Sequence, residues 1–280
     1  MKFDMMNHPL FLLRAIRLTA ALSSFMLMTA TPARSQITDS TQSGTQPADA
    51  YLEKIDRPVF EKRNPFPVKQ MVAPTLMLMY GLAGTKNHAL KNINAEIREE
   101  LVTEHPHNKF QLDNYLIFAP AATVYGLNAL GIKGQHNFRD RTMLYLLSNA
   151  FVSATVFSVK KISHEQRPDQ SNYLSFPSGH TAMAFAGAEF LRREYKDVSP
   201  WYGIAGYAMA ATTGYLRMYN NKHWLNDVVA GAGVGIASTN LAYWLYPKLQ
   251  HVLFKDRPMK TVVMPSYQSG SFGIGLVHKF

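Results

Sequence analysis

Six apolar segments, separated by polar stretches, dominate the chain from residue 71 onward. None of them shows the alternation of apolar and polar residues that marks a half-buried strand, and Ala, Leu, Met and Gly are frequent, so the pattern predicts helices. Four of the six continue for about 17 residues or more without a charge, which is the length that crosses a hydrocarbon core. The segments span residues 71–83, 115–132, 142–159, 181–191, 201–216 and 228–246.

The predicted helices also carry polar side chains, among them Asn128, Ser148, Thr213 and Asn240. Small and polar residues allow close helix packing, either in a membrane or inside a soluble bundle. The expected fold class is all-α, a helical bundle of about six core helices. Embedding in a membrane is favoured, and a soluble bundle is the alternative.

The two ends of the chain differ from this helical region. Residues 1–35 place basic residues before an apolar run and a small-residue site, which indicates an export signal or, if it is not cleaved, an N-terminal anchor. Residues 36–60 are rich in Ser, Thr, Gln and Asp and predict a flexible exported linker. The helical domain is expected over residues 61–250, and residues 251–280 predict a C-terminal tail resembling a β-hairpin.

The connecting loops predict the orientation of the helices. The loops at residues 133–141 and 192–196 are basic, as cytoplasmic loops of membrane proteins are. Three other polar clusters, at Lys160, residues 167–180 and residues 217–227, would then share the outer end of the bundle. Helices that alternate in direction would bring these stretches together in a soluble bundle as well.

Composition narrows the class of protein. The 280 residues are 47% hydrophobic and 17% charged, which excludes a disordered chain. The absence of Cys excludes disulfides, thiolate metal sites and cysteine nucleophiles. A formal net charge of +10 predicts an anionic partner: nucleic acid, anionic lipid or a phosphorylated substrate.

The first polar cluster contains Lys160 and Arg167, seven positions apart and followed by Pro168. On a helix the two cations would share one face and could hold a single dianion. A basic belt beside a membrane helix would have the same composition, so this cluster alone does not identify a site.

The second cluster is the run Phe176-Pro177-Ser178-Gly179-His180, directly before a predicted helix. Ser178 is a candidate N-cap, Gly179 lets the backbone approach a ligand, and the free N–H groups of the first turn attract an anion. A capped helix with an incidental His is the alternative.

The third cluster extends from Arg217 to Asp227. His223 and Asp227 are four residues apart, so the carboxylate could accept a hydrogen bond from one imidazole nitrogen and leave the other free to attack. The alternative is an ion pair on a helix surface.

In this order, Lys-x6-Arg-Pro, Pro-Ser-Gly-His and Arg-x5-His-x3-Asp resemble the three-part signature of the type 2 phosphatidic acid phosphatase (PAP2) family. That family includes bacterial nonspecific acid phosphatases and vanadium haloperoxidases. The resemblance covers residues 115–246. One position departs from the signature, because Leu216 stands where the third motif usually has Ser.

The resemblance implies a phosphatase that works through a phosphohistidine and needs no metal or cofactor. His223 would be the nucleophile, Asp227 would orient its ring, and His180 would protonate the leaving oxygen. The residues implied to bind the phosphoryl oxygens are Lys160, Arg167, Ser178, Gly179 and Arg217. Their cations would supply the charge that Mg²⁺ supplies in other phosphoryl-transfer sites.

The expected function is removal of phosphate from a membrane lipid, with lipid A, undecaprenyl diphosphate, phosphatidic acid and phosphatidylglycerophosphate as candidates. The site would face the periplasm, from the cell membrane or from a soluble protein. The alternatives are a soluble periplasmic acid phosphatase, a vanadium-dependent haloperoxidase and a lipid-binding protein without activity. The expected partners are the phosphorylated lipid and the membrane, and no nucleic acid.

Four residues before the second apolar segment are harder to place: His105, His107, Asp113 and Asn114. They could border the site or mark the membrane surface, and the surface interpretation is favoured. Trp224, beside His223, is expected to line the site.

Overall fold

The structure, a computed structural model, describes residues 65–254, 261–268 and 271–278. Within these ranges the chain forms eight α-helices and one two-stranded antiparallel sheet, so the predicted helical bundle with a C-terminal hairpin is confirmed. The predicted export signal or anchor at residues 1–35 and the linker at residues 36–60 lie outside the described residues.

The elements follow one another in a simple order. The helices are α1 (Val68–Lys86), α2 (His88–Arg98), α3 (Asp113–Leu116), α4 (Ala119–Ala129), α5 (Phe138–Ser163), α6 (Gly179–Tyr195), α7 (Pro200–Tyr219) and α8 (Leu225–Phe254). A π-helical turn, Glu99–Thr103, follows α2 directly. The strands are β1 (Thr261–Gln268) and β2 (Ser271–His278), and they pair from Thr261 opposite His278 to Gln268 opposite Ser271.

Five of the six predicted segments each lie within one helix. The exception is the segment 115–132, which is divided between α3 and α4. Pro120 lies at the start of α4, where its missing N–H costs no helical hydrogen bond, so it favours the beginning of a new helix there. Helix α2 was not predicted because its composition is polar. It is capped by Asn87, whose side chain accepts a hydrogen bond from the N–H of Leu90 at 3.2 Å.

Helix α8 is the central element of the bundle, and it packs against α1, α5 and α6. Its contact with α6 depends on small residues, because a Cβ at Gly235 would lie 2.8 Å from the backbone N of Ala186. Ala182, Val152 and Val234 are buried in the resulting cluster. This close packing fixes the start of α8 relative to the start of α6.

Two helices, α5 and α8 through Gln250, are long and apolar enough to cross a membrane, by length and composition. They differ in burial, because 22% of the apolar window of α5 is buried and 67% of that of α8. Large apolar side chains on α5 and α1 are exposed, including Leu146, Phe157, Leu76 and Met79. Helix α8 therefore belongs to the core, whereas α5 presents most of its apolar surface outward.

Candidate active site

The loop from α5 to α6 and the loop from α7 to α8 lie side by side at one end of the bundle. The guanidinium of Arg167 donates from Nη1 to the carbonyl oxygen of Lys222 at 3.3 Å. The backbone N–H of Ser178 donates to the carbonyl oxygen of Asp227 at 3.0 Å. The three polar clusters of the sequence are thus brought together, as alternation of the helices predicts.

His223 lies in the α7–α8 loop, shortly before the first residue of α8. Its Nδ1 is 3.3 Å from Oδ2 of Asp227, and the two side chains are almost completely buried. Since the carboxylate can only accept, Nδ1 carries the proton and Nε2 keeps its lone pair. This is the geometry of an oriented imidazole nucleophile.

Asp227 is itself held in place by further donors. Its Oδ2 accepts from the hydroxyl of Ser175 at 2.5 Å and from the backbone N–H of Trp224 at 3.0 Å. Ser175 is completely buried, and its Oγ also lies 3.5 Å from Nδ1 of His223. Sequence analysis did not identify Ser175, because it lies outside the three motifs and carries no periodic signal.

The electrostatic environment keeps His223 neutral. Burial lowers its pKa well below 6.5, and the positive charges of Lys160, Arg167 and Arg217 lower the pKa further. Although the distance to Asp227 is within ion-pair range, burial and the three cations outweigh the carboxylate. The pair is therefore a hydrogen bond between a neutral imidazole and a carboxylate.

The cations around His223 are anchored by other groups. Lys160 donates from Nζ to the carbonyl oxygens of Leu174 and Ser175 at 2.5 and 3.0 Å. Arg167 donates from Nε to Oδ1 of Asn172 at 3.0 Å. These contacts fix the direction of each side chain, which reduces the entropy lost when an anion binds.

Arg217 is paired with Asp113, a residue 104 positions earlier in the chain. Nη1 of Arg217 lies 2.5 Å from Oδ2 of Asp113, and both side chains are buried. Nε of Arg217 is buried and has no hydrogen-bond partner among the described residues. The favoured surface interpretation of Asp113 was wrong, since α3 packs against α6 and α7 and brings this carboxylate inside.

The start of α6 offers a second kind of group that could bind an anion. Ser178 is the N-cap, and its Oγ accepts a hydrogen bond from the N–H of Thr181 at 3.4 Å. A Cβ added at Gly179 would meet only Cγ1 of Val156, at 3.5 Å, which is an ordinary contact. Packing therefore does not require glycine here, but its absent side chain leaves the helix N-terminus open to a ligand.

His180 follows in the first turn of α6 and is half-buried. Its Nε2 lies 3.0 Å from Oδ1 of Asn114, so Asn114, although exposed at the surface, also borders the site. Burial lowers the pKa of His180 to about 4, with a further contribution from Arg217. Without a bound anion, His180 is neutral at pH 7.

The one departure from the sequence signature, Leu216, is buried in α7 and adds apolar packing where a hydroxyl is usual.

Within the described part of the chain, one group of possible metal ligands was found: Glu100, Glu104 and His105, with ligand atoms within 4.8 Å of one another. All three are exposed and none belongs to the three clusters, and exposed acidic groups commonly lie together without an ion.

Comparison with known proteins found a matching family and several similar proteins. Residues 141–251 match the family described as the PAP2 superfamily. The lipid A 1-phosphatase of Porphyromonas gingivalis is 35% identical over 166 residues, which are 59% of this chain and 36% of that protein. The lipid A 4'-phosphatase of Bacteroides thetaiotaomicron is 36% identical over 84 residues, which are 30% of this chain and 36% of that protein. The match thus spans 36% of the length of each of these curated relatives.

Among solved structures, a transmembrane PAP2 type phosphatidylglycerolphosphate phosphatase from Bacillus subtilis is similar to this chain. The sequence identity is 21%, the TM-score is 0.47, and the alignment covers 63% of this chain and 97% of that chain.

Proposed function

We propose that this chain, which carries a PAP2 superfamily domain over residues 141–251, is a membrane lipid phosphatase that acts through a phosphohistidine. One observation carries the proposal: the neutral, buried His223 is oriented by Asp227 and lies near three cations, and no described residue hydrogen-bonds to its Nε2. A nucleophile beside a preformed anion site is what hydrolysis of a phosphate ester requires.

In the first step the phosphoryl oxygens bind to Lys160, Arg167 and Arg217 and to the N–H groups at the start of α6. Nε2 of His223 attacks phosphorus, and the P–N bond forms as the bond from phosphorus to the lipid oxygen breaks. His180 transfers its proton to that oxygen. Asp227 stabilises the positive charge that forms on the ring of His223.

In the second step a water molecule enters where the lipid alcohol has left. His180, now neutral, removes a proton from the water as the water oxygen bonds to phosphorus and the P–N bond breaks. Inorganic phosphate leaves, His223 returns to its neutral form, and His180 is protonated for the next cycle.

The cations contribute most to the rate because charge develops on the equatorial oxygens in the transition state. Removing one such preorganised donor from an active site costs about 10²–10³-fold in kcat. The cations of this site are already in place without substrate, so little reorganisation accompanies the reaction.

Three features support a lipid as the substrate. Two of the curated relatives are lipid A phosphatases by name, and α1 and α5 expose apolar side chains that lipid chains would cover. The site lies at one polar end of the bundle, at the depth of lipid headgroups if α5 and α8 cross the membrane. Lys133, Arg192 and Lys196 lie at the opposite end, which by the positive-inside rule directs the site toward the periplasm.

Phosphate release by the purified full chain in EDTA tests the proposal. The panel comprises lipid A phosphates, undecaprenyl diphosphate, phosphatidic acid, phosphatidylglycerophosphate and p-nitrophenyl phosphate, each with and without vanadate. Vanadate-sensitive release that favours one lipid is expected. Preference for the small ester would instead indicate a soluble-type acid phosphatase, and a requirement for a divalent metal would contradict the mechanism.

A further inference from the structure

The four-residue helix α3 contacts two site residues that come from different helices. Oδ2 of Asp113 pairs with Arg217 of α7 at 2.5 Å. Oδ1 of the next residue, Asn114, lies 3.0 Å from Nε2 of His180 in α6. The first contact holds a cation, and the second is with the residue that the proposed function makes the general acid.

The segment that leads into α3 is anchored to the end of α7. His107 stacks on the ring of Tyr219 with centroids 3.5 Å apart, and its Nε2 lies 2.8 Å from the carbonyl oxygen of the same residue. The backbone N–H and carbonyl of Phe110 both hydrogen-bond to the side chain of Asn220, each at 2.8 Å. Asn114 therefore meets His180 from a backbone whose preceding residues are anchored to α7.

The contact determines which nitrogen of His180 exchanges its proton. An amide oxygen can only accept, so Nε2 carries a proton in both charge states, and Nδ1 is the nitrogen that titrates. We infer that Asn114 is a positioning residue that holds His180 with Nε2 protonated and directs Nδ1 to the leaving oxygen. This inference rests on the proposed function.

The assignment fits the proton transfers of both steps. The proton on Nδ1 goes to the lipid oxygen as the P–O bond breaks, and Nδ1 then accepts a proton from the attacking water. The proton on Nε2 stays in the hydrogen bond to Asn114 throughout. A freely rotating ring would lose this orientation, and orientation is a large part of the efficiency of general acid catalysis.

Asn114 is an uncharged hydrogen-bond partner of His180, whose other neighbours are strongly charged. The charged groups that act on His180 are Arg217 from α7, Asp113 from α3, Arg167 from the α5–α6 loop and Lys160 from α5. The three cations disfavour the imidazolium, whereas an amide oxygen favours it because a charged N–H donates more strongly. Changing Asn114 should therefore move the titration of His180 in a direction set by the new side chain.

Two substitutions in the full chain test the inference by activity. With a lipid phosphate, Asn114→Ala is expected to lower kcat about 10-fold or more, since general acid catalysis contributes roughly 10²–10⁴-fold. The basic limb of the pH profile of kcat, where activity falls as His180 loses its proton, should move to lower pH in this variant. With p-nitrophenyl phosphate the loss should be much smaller, because this leaving group departs without a proton. Asn114→Asp adds a carboxylate acceptor and should move the basic limb to higher pH.

Gln111→Ala, at an exposed position in the same segment, is the matched control. It should leave kcat for both substrates, and the basic limb of the pH profile of kcat, unchanged. The inference is overturned if Asn114→Ala slows the two substrates equally and neither variant moves the limb. That pattern would show a structural role. A wild-type chain without activity on any substrate would contradict the proposed function instead.

Nitrogen chemical shifts of the histidine rings provide a readout that needs no turnover. The wild-type protein should show neutral His180 protonated at Nε2, identified by loss of its signals in His180→Gln. Asn114→Ala should give a mixture of tautomers. A wild-type ring protonated at Nδ1 would overturn the inference whatever the activity data show.

Discussion

The backbone N–H of Ser178 donates a hydrogen bond to the carbonyl oxygen of Asp227 at 3.0 Å, which joins the start of α6 to the first turn of α8. In the proposed mechanism, Ser178 begins the helix whose N-terminus binds the anion, and Asp227 orients the nucleophile His223. One contact therefore fixes the distance between the group that binds the phosphate and the group that attacks it. Gly231 permits this contact, because a Cβ there would lie 2.5 Å from the carbonyl oxygen of Ser178.

Gly231→Ala should separate these two groups. The added Cβ forces α8 away from α6, and overpacking of this kind typically costs about 1–3 kcal/mol of unfolding free energy. We also expect a lower kcat, because Ser178 and Asp227 lose their relative position. Gly126→Ala is the control, since nothing lies within 4 Å of its Cβ, and it should stabilise α4 by up to about 1 kcal/mol. Denaturant unfolding in detergent and phosphate release would measure both effects, and equal behaviour of the two variants would contradict this packing argument.

Asp113→Ala should leave Arg217 as a buried charge without its partner. Breaking a buried ion pair on one side costs about 3–5 kcal/mol, so the thermal midpoint should fall clearly. Vanadate supplies an anion for Arg217 and should raise the midpoint more in the variant than in the wild type.

Asp169→Ala is the control for this prediction. Its ion pair with Lys222 is partly exposed, and such pairs contribute about 0–1 kcal/mol. If vanadate stabilised Asp113→Ala no more than the wild type, Arg217 would not be part of the anion site.

Ser175→Ala tests the support of the nucleophile. Without the buried hydroxyl, Oδ2 of Asp227 keeps the N–H of Trp224 and the ring of His223 but loses its shortest contact. We expect kcat to fall by about 10-fold with little change in KM, since supporting contacts of this kind act on orientation. Steady-state kinetics measure this split, with the exposed Ser171→Ala as control. A raised KM with unchanged kcat would assign Ser175 to substrate binding instead.

The pH dependence of kcat/KM should show a basic limb that is set by His180. His223 must be neutral, and its lowered pKa keeps it neutral at mildly acidic pH. His180 must be protonated, and its pKa of about 4 in the free protein means that this form is lost as pH rises through that value. A bound phosphoryl group adds negative charge and raises the pKa of His180, so the basic limb of kcat should lie at higher pH than that of kcat/KM. Coinciding basic limbs would contradict the assignment of His180 as the acid.

The short-range features of the fold and site were open to prediction from sequence. Apolar runs predicted the core helices, and motif spacing placed His223 one helical turn from Asp227. Contacts between distant parts of the chain could not be predicted in this way. Ser175 contacts Asp227 across 52 positions of sequence, and Asn114 contacts His180 across 66. Neither residue has a local pattern that distinguishes it from loop or surface residues.

Detection of the covalent intermediate tests the central claim most directly. The full chain is mixed with a lipid substrate labelled with ³²P at the phosphate, quenched in alkali and separated from free lipid, alongside His223→Ala. The mechanism predicts a protein-bound label that is stable in alkali, labile in acid and absent from His223→Ala. Labelling or hydrolysis that persists in His223→Ala would show that another group attacks phosphorus.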